Sequence, residues 1–323
     1  MRLLFGLDIG GTNIKAGVVD EAGTILIQDS VKTHADTNSA EDILSLGVEL
    51  FNKLTTEIDV AGKISAIGVG SPGVVHKDRR RIVRAFNLPF NNLDAASYLE
   101  EKLQLPVIVG NDANLAALAE SRIGAGKGAV SSITVTLGTG YGGGIVINDR
   151  VYSGFNGAGC ELGHTLLVEG GEPCSCGRNG CIEAYCAAPA LIRQTKEAGE
   201  KDPDSKLGQY VAAGHRVSGR TAFDFAADGC ETAAGVIDRY VRHNGEALAN
   251  FINSINPERI MVGGGISHQG PEFIAAIEKV ALEEAFLFDL IDNPVILPAT
   301  LGNDAGIVGA AMFALDALDD AWL

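Results

Sequence analysis

The sequence predicts an α/β fold in which one structural unit occurs twice. Three patterns carry this prediction: a buried strand followed by a glycine-rich hairpin, a strand that ends in glycines, and the tetrad Gly-Asn-Asp-Ala. They occur in this order between residues 8 and 114 and again between residues 138 and 306. Repetition of a whole pattern of strands and turns indicates a duplicated unit. Two such units facing each other would form two lobes around a cleft.

The first copy begins with an apolar run over residues 3–7, which predicts a buried strand. The run leads into the sequence DIGGTNIK at residues 8–15, and a second apolar run at 16–19 completes a hairpin. The glycines let a phosphate approach backbone N–H groups. No helix follows them, unlike the Walker A and GxGxxG patterns. Asp8, at the end of a strand, would suit a magnesium ion held through water.

The rest of the first copy alternates helices with strands. The predicted helices cover residues 40–58, 95–103 and 115–122, and the predicted strands cover 64–69 and 107–109. The last strand delivers Asn111 and Asp112, and open α/β sheets bind their ligands at the carboxyl ends of their strands. An alternative function for this turn is an Asx cap on the following helix, made by Asn111 or Asn114.

The second copy has strands predicted at 132–137, 260–262 and 295–297. Its later spacing agrees with the first copy, since 42 positions separate Gly68 from Gly110 and 39 separate Gly263 from Gly302. The interval between the glycine hairpin and the strand that ends in glycines is much longer in the second copy. The additional residues of this interval include a cysteine-rich stretch and several helical segments. We therefore expect an element inserted into the second lobe. The predicted divisions are a small lobe at 1–114, a large lobe at 115–304, and a C-terminal helix at 305–323 packing back on the small lobe.

The cysteine-rich stretch predicts a structural zinc site. Cys174, Cys176 and Cys181 fall within eight residues, and His164 lies ten positions before the first of them. Three thiolates and one imidazole complete a tetrahedral zinc shell and leave no position for water. The alternative is a group of buried free thiols. A closed site would hold neighbouring side chains in place rather than perform chemistry.

Composition excludes several classes of function. The chain has 323 residues, 46% of them hydrophobic, and a formal charge of −16. Such a charge argues against nucleic-acid and anionic membrane partners. The one basic run, Lys77 to Arg81 with Arg84, is interpreted as a solvated loop. No apolar stretch is long enough for a membrane span, no signal peptide is recognised, and clustered cysteines fit a reducing compartment, so we expect a cytoplasmic protein.

These motifs together resemble the bacterial sugar kinases of the ROK group, within the actin-like (ribonuclease H-like) ATPase superfamily. The resemblance rests on the glycine hairpins, on Gly110 to Asn114, and above all on the cysteine motif in register with Glu161 to His164. It implies ATP-dependent phosphorylation of a hexose, with glucose expected to become glucose 6-phosphate. The implied cofactors are ATP, Mg²⁺ and structural Zn²⁺, and the implied assembly is a homodimer or homotetramer.

The resemblance also assigns roles to individual residues. Asp112 is implied as the general base, and Asp304, its counterpart in the second copy, is given only a structural role. The implied sugar contacts are Gly73, Asn87, Asn111, Asp112, Glu161, His164 and Glu183. The implied contacts to phosphates, magnesium and adenosine are Asp8, Gly10, Gly11, Thr12, Asn13, Lys15, Gly138, Thr139, Gly140, Gly264 and Gly265. The implied metal ligands are His164, Cys174, Cys176 and Cys181, with one His164 ring nitrogen on the metal and the other on the sugar.

Several alternatives stay open. N-acetylmannosamine, N-acetylglucosamine, fructose or allose could replace glucose, because a single pocket atom decides a few kcal/mol. Polyphosphate could replace ATP. A sugar-sensing regulator is the non-enzyme alternative, although the family's repressors carry a winged helix ahead of the first hairpin, which here begins by residue 8. Two departures from the family pattern stand out: Cys160 where glycine is usual, and Phe90 with Asn91 where a tryptophan is common at the rim of the sugar site.

Overall fold

A computed structural model describes residues 2–286 and 292–319 of the chain. The chain folds into two compact units. The first unit takes its residues from Met1–Ser131, Gly144–Cys160 and Thr300–Leu323, and the second from Ser132–Gly143 and Glu161–Ala299. The chain therefore passes between the units more than once.

The first unit contains a five-stranded sheet. Its strands are β1 (Leu3–Ile9), β2 (Asn13–Asp20), β3 (Ile25–Lys32), β4 (Ile64–Ser71) and β8 (Val107–Asn111), in the order β3-β2-β1-β4-β8. The first three strands form an antiparallel meander, whereas β1, β4 and β8 run parallel. A small sheet of β5 (Val74–Val75), β6 (Arg81–Arg84) and β7 (Asn91–Asp94) accompanies it.

A second five-stranded sheet has an equivalent topology. Its strands are β9 (Ser131–Leu137), β10 (Tyr141–Ile147), β11 (Arg150–Tyr152), β12 (Arg259–Gly263) and β13 (Val295–Pro298), in the order β11-β10-β9-β12-β13. Here too an antiparallel hairpin precedes strands that pair in parallel, β9 with β12 and β12 with β13. The duplicated α/β topology predicted from the sequence is thereby confirmed.

The helices complete the α/β architecture. They are α1 (Ala40–Glu57), α2 (Ala95–Leu103), α3 (Asp112–Arg122), α4 (Glu183–Cys186), α5 (Ala188–Lys201), α6 (Lys206–Ala212), α7 (Thr221–Ala227), α8 (Glu231–Ile255), α9 (Pro271–Glu284) and α10 (Ala305–Asp319). Helix α1 starts at a capping box in which the Ser39 hydroxyl accepts from the Asp42 N–H and the Asp42 carboxylate accepts from the Ser39 N–H.

Helix α10 packs closely against β1 and β4 of the first unit. Two strand glycines allow this approach, because a Cβ at Gly6 would overlap the carbonyl of Ile307 and one at Gly68 would overlap the carbonyl of Ala310. The facing helix positions are small or fully buried, and Ala310, Ala311 and Ala314 each have no exposed surface. Apolar burial on this face of the sheet is therefore tight enough to exclude any added methyl group.

The sequence located most of these elements, with differences that have physical reasons. Helix α3 begins at Asp112 rather than at residue 115, because Asn111 caps it. Strand β3 was not predicted, since its residues alternate between half-buried and exposed and form no apolar run. The predicted lobes 1–114, 115–304 and 305–323 stay a prediction. Residues 320–323 of the predicted C-terminal helix lie outside the described part of the chain.

Candidate active site

The carboxyl ends of three parallel strands in the first unit bring its predicted site residues together. Asp8 on β1 is level with Gly70 on β4, and Gly70 is level with Gly110 on β8. Asn111 and Asp112 follow Gly110 directly. This alignment explains how motifs about a hundred residues apart in the sequence reach one edge of a sheet.

Asn111 fixes the start of helix α3 and with it the position of Asp112. Its side-chain oxygen accepts from the Asn114 N–H at 3.0 Å, and its side-chain nitrogen donates to the Gly73 carbonyl at 3.0 Å. Asp112 is the first residue of the helix. Burial raises the pKa of Asp112, and the Ala113 N–H, which donates to its carboxylate at 2.8 Å, partly opposes this. A raised pKa makes this carboxylate a stronger proton acceptor than an exposed aspartate.

Asp8 lies near Asp112 and shares its enclosed environment. Burial raises the pKa of Asp8 to about 6, the negative charge of Asp112 adds to the shift, and Lys15 opposes it. The position of Gly306 abuts the Asp8 carboxylate so closely that a Cβ there would overlap it. Two carboxylates near one lysine at a sheet edge form a site of negative potential suited to a divalent cation.

The turn between β1 and β2 is held in one shape. The Gly10 N–H donates to the Asn13 carbonyl at 2.9 Å. Thr33, which has no exposed surface, supports the turn: its hydroxyl donates to the Gly10 carbonyl at 2.6 Å and its N–H donates to the Thr12 carbonyl at 3.0 Å. This support was not recognisable from the sequence, because Thr33 lies outside the glycine motif.

Lys15 extends from the same hairpin to the turn before helix α10. Its ammonium donates to the carbonyl and side-chain oxygens of Asn303 at 3.4 and 3.3 Å. A groove of about 240 Å³ lies beside this contact and is lined by Lys15, Gln28, Asp29, Ser30, Asn303 and Asp304. The two Gly-Asn-Asp-Ala tetrads thus both reach the first unit, one carrying Asp112 and the other contacting Lys15.

Asn87 lies on a loop whose other residues include two buried apolar side chains. Leu88 and Phe90 are 6% and 1% exposed, whereas Phe86 is 83% exposed. A Cβ at Gly11 would come within 3.0 Å of the Asn87 side-chain nitrogen, so loop and hairpin are in close contact. A groove of about 700 Å³ runs between them. Phe90, expected at a rim, is part of the core, and the exposed aromatic of this loop is Phe86.

In the second unit, the predicted metal ligands converge. The ligand atoms of His164, Cys174, Cys176 and Cys181 all lie within 4.8 Å of one another. Cys174 Sγ is 3.6 Å from His164 Nδ1, and Cys176 Sγ is 3.7 Å from Cys181 Sγ. Tetrahedral zinc with ordinary bond lengths requires about 3.6 Å between a sulfur and a nitrogen and about 3.8 Å between two sulfurs. The cluster is therefore compatible with zinc and uses Nδ1 of the histidine.

The backbone around the cluster turns at two glycines. Gly177 and Gly180 have φ values of +87° and +83°, and a Cβ at Gly180 would also overlap the Val168 carbonyl. The His164 carbonyl accepts from the Arg178 guanidinium at 3.1 Å. Tight turns of this kind let closely spaced thiols point at one ion, and Gly180 has no tolerated replacement on geometric grounds.

Glu183 is held by hydrogen bonds next to the cluster, and Cys174 Sγ lies 3.7 Å from the carboxylate oxygen that also binds Ser175. One carboxylate oxygen accepts from the Ser175 hydroxyl at 2.8 Å, and the other accepts from the Tyr141 N–H at 3.0 Å. Ser175 lies between two of the cysteines, so the metal loop and the β9–β10 turn both orient this carboxylate. Glu161 directly precedes the short 3-10 turn Leu162–His164, and its carbonyl accepts from the His164 N–H at 3.0 Å.

Cys160, the residue before Glu161, has a φ of +67°. This left-handed conformation costs a residue with a Cβ about 1–2 kcal/mol and is free for glycine. The thiol donates to the Tyr152 carbonyl at 2.8 Å, which partly compensates for that cost. The backbone therefore adopts at this position a conformation for which glycine would be the usual residue.

The second glycine hairpin is also closed by a backbone hydrogen bond, with a shorter span than in the first. The Gly138 N–H donates to the Gly140 carbonyl at 3.1 Å, and Thr139 is exposed at the tip. Gly264, with a φ of +85°, passes so close to the β9 backbone that a Cβ would lie 2.5 Å from the Leu137 carbonyl oxygen. Nothing lies within 4 Å of a Cβ built at Gly265, so open space borders that glycine.

The family follows from a match over nearly the whole chain. The model of the ROK family matches residues 4–317. The chain belongs to the ROK family. This confirms the resemblance inferred from the glycine hairpins and the cysteine motif, and it agrees with the duplicated sheet topology.

Individual relatives are similar over more than nine-tenths of their lengths. A glucokinase of Halalkalibacterium halodurans is 36% identical over 95% of this chain and 93% of its own length. The structure of a ROK family glucokinase from Streptomyces griseus, solved in complex with glucose and AMPPNP, is 34% identical with a TM-score of 0.80 over 97% of this chain and 99% of that chain. A ROK hexokinase from Thermus thermophilus is 33% identical with a TM-score of 0.83 over 99% and 100%.

The basic run over residues 77–84 was expected to be a solvated loop. The basic run is largely paired: Arg80 contacts Glu100 at 2.6 Å, Arg81 contacts Asp78 at 3.1 Å, and the Arg84 guanidinium lies 5.1 Å from the ring centre of Phe86. It is therefore not a free patch of positive charge. Among the described residues, no helix is both long and apolar enough to cross a membrane.

Proposed function

We propose that this ROK protein is a glucokinase, which transfers the γ-phosphoryl group of ATP to the primary hydroxyl of glucose. The observation that carries the proposal is the position of Asp112, at the first turn of a capped helix with a raised pKa, in a chain whose relatives include glucokinases at 36% identity. Phosphoryl transfer needs a carboxylate that orients the acceptor hydroxyl and takes its proton.

In this proposal the reaction is a direct displacement. Asp112 accepts the hydroxyl proton while the hydroxyl oxygen forms a bond to the γ-phosphorus, and the bond from that phosphorus to the ADP oxygen breaks. Asn111 would both cap the helix and bind a sugar hydroxyl. The remaining sugar contacts would be Gly73 and Asn87 in the first unit and Glu161, His164 and Glu183 in the second.

The nucleotide would be bound by the two glycine hairpins. Gly11, Thr12 and Asn13 would offer N–H and side-chain donors to phosphate oxygens, and Thr139 and Gly140 would do so in the second unit. Gly10 and Gly138, whose N–H groups close the two turns, would let the phosphates approach the backbone. Lys15 would neutralise phosphate charge, and Gly264 with Gly265 would pass beside the adenosine. Asp8 would hold Mg²⁺, which supplies positive charge to the phosphate oxygens when bound.

The metal cluster would act structurally in this reaction. Zinc bound by the three thiolates and His164 Nδ1 would leave the Nε2 atom of the same ring for a sugar hydroxyl. It would also keep Ser175 in place, and with it the carboxylate of Glu183. We further propose that the protein works in the cytoplasm as a homodimer or homotetramer, as the family resemblance implies.

A coupled assay for ADP release tests this function. Glucose, N-acetylmannosamine, N-acetylglucosamine, fructose and allose are compared at equal concentrations with ATP and Mg²⁺. We expect glucose to give the highest kcat/KM, and product analysis should find glucose 6-phosphate. ADP release that does not depend on any sugar, or a preference for an amino sugar by more than tenfold, would contradict the proposal. Polyphosphate in place of ATP tests the donor in the same assay.

A further inference from the structure

Glu120 is a buried carboxylate with an unusual set of partners. It lies on helix α3, eight residues after Asp112, and is only 2% exposed. One carboxylate oxygen accepts from the N–H groups of Thr300 and Leu301 at 2.9 and 2.7 Å. The other accepts from the Ala125 N–H at 3.1 Å and from the Thr300 hydroxyl at 3.3 Å. Among the described residues it forms no ion pair within 4.0 Å, so these donors stabilise its charge.

The segment that Glu120 holds leads directly to two groups of the proposed nucleotide site. Three residues after Thr300, the Asn303 oxygens accept from the ammonium of Lys15. Three residues further on, Gly306 abuts the carboxylate of Asp8. The turn formed by residues 300–306 is therefore fixed by Glu120 at its start and contacts Lys15 and Asp8 along its length.

We infer that Glu120 is a positioning residue for the nucleotide phosphates, which acts through the 300–306 turn on Lys15 and Asp8. The inference rests on the proposed function. The same helix carries the proposed base at its first residue and Glu120 eight residues later. This separation is about two turns, because an α-helix has about 3.6 residues per turn. Helix α3 would thus set the distance between the sugar end of the site and the phosphate-binding groups.

Replacing the Glu120 carboxylate by an amide can distinguish a positioning role of this residue from a general contribution to folding. An amide in place of the carboxylate keeps the shape of the side chain, but its nitrogen cannot accept from the N–H groups that face it. The expected damage is a displaced 300–306 turn with an intact helix start, because Asn111 and Gly73 hold Asp112 independently. Nucleotide affinity should therefore fall while glucose affinity stays.

The test compares Glu120→Gln with Thr300→Val, which removes only the hydroxyl bond to the same carboxylate. Calorimetric titration with Mg²⁺ and AMPPNP, and separately with glucose, gives both affinities without turnover. We expect Glu120→Gln to weaken AMPPNP binding about tenfold or more, as loss of charge-assisted bonds would produce. Thr300→Val should shift it by about two- to threefold, and both variants should bind glucose within about twofold of the wild type. KM for MgATP should rise in parallel with the loss of AMPPNP affinity.

A double-mutant cycle of Glu120→Gln with Lys15→Met tests whether Glu120 affects nucleotide binding through Lys15. If Glu120 acts through Lys15, the combined loss of AMPPNP affinity will be smaller than the product of the two single losses. Independent multiplication of the losses, unchanged AMPPNP affinity, or equal weakening of glucose and AMPPNP would overturn the inference. If Glu120→Gln does not fold, judged by circular dichroism, the same comparison is decided by Thr300→Val and its combination with Lys15→Met. A wild-type protein without glucose-dependent ADP release would instead refute the proposed function, and its AMPPNP affinities would still test the positioning role.

Discussion

The Ser175 hydroxyl donates to the Glu183 carboxylate at 2.8 Å, which joins a residue of the metal loop to a proposed sugar ligand. The Tyr141 N–H donates to the other oxygen of this carboxylate. Removing the Ser175 hydroxyl should loosen Glu183 without releasing it, because the Tyr141 N–H still holds that other oxygen. Ser175→Ala should raise the KM for glucose about two- to tenfold, which corresponds to the loss of one exposed hydrogen bond of about 0.5–1.5 kcal/mol. Steady-state kinetics at saturating ATP check this, and an unchanged glucose KM would separate Ser175 from the sugar site.

The metal cluster predicts one zinc per chain and a stability that depends on it. Cys181→Ser replaces a buried residue of the proposed ligand set and should lower the zinc content well below one per chain and lower the Tm, because structural zinc contributes directly to folding free energy. Elemental analysis and thermal unfolding measure both effects. Cys160→Ser is the matched control, since Cys160 lies outside the cluster. Full zinc occupancy in Cys181→Ser would show that Cys181 is not a required ligand, and a wild-type protein without zinc would show that the cluster is a group of free thiols.

The raised pKa of Asp8 predicts a specific dependence of stability on pH. Burial, with the charge of Asp112, raises this pKa from 3.8 to about 6, so the folded state binds the proton more tightly than the unfolded state. Stability from this group is fully present below pH 3.8 and is lost as the pH rises through about 6. Asp8→Asn should therefore gain up to about 3 kcal/mol of unfolding free energy relative to the wild type between pH 4 and pH 7.5, an upper limit before solvent screening.

Urea unfolding of wild type and Asp8→Asn at both pH values measures this difference, without added Mg²⁺. The expected pattern is a stability gap that widens in favour of the variant as the pH rises. A gap that is constant with pH would mean that folding does not shift the pKa of Asp8, and a gap that narrows as the pH rises would mean that folding lowers this pKa.

Close packing of helix α10 predicts that Gly68 is irreplaceable. A Cβ at this glycine would overlap the carbonyl of Ala310. Gly68→Ala should therefore destabilise the protein by about 2 kcal/mol or more, as overpacking of a close-packed interior does. The control is Gly62→Ala, where nothing lies within 4 Å of the added atom. Denaturant midpoints compare the two, and equal stability of both variants would contradict the packing described here.

Local sequence patterns predicted the parts of the site whose residues lie near one another in the chain. The predicted metal ligands fall between His164 and Cys181, and Asn111 caps the helix that starts at the next residue, so both lie within short, local patterns. Contacts between distant segments could not be predicted this way. Lys15 meets Asn303 across 288 positions, and Glu120 meets Thr300 across 180. Only the parallel order of the strands and the packing of α10 bring those segments together.

The duplication was predictable for the same reason, because its motifs are local and recur in order. The insertion in the second copy was recognised from its extra length. The sequences of its helices do not indicate which other elements they pack against. The backbone conformation at Cys160 could not be predicted from the sequence. Its left-handed backbone follows from the turn that contains it, and the residue itself gives no sign of that conformation.

The role of Asp112 is the central claim, and Asp112→Asn tests it most directly. The asparagine keeps the size of the side chain and cannot accept the hydroxyl proton as a carboxylate does. Two quantities decide the matter: the rate of glucose-dependent ADP release and the dissociation constant for glucose. We expect the rate to fall by about 10²–10⁴, the range for removing a general base, while glucose binding stays within about twofold. A variant that releases ADP at the wild-type rate would contradict it.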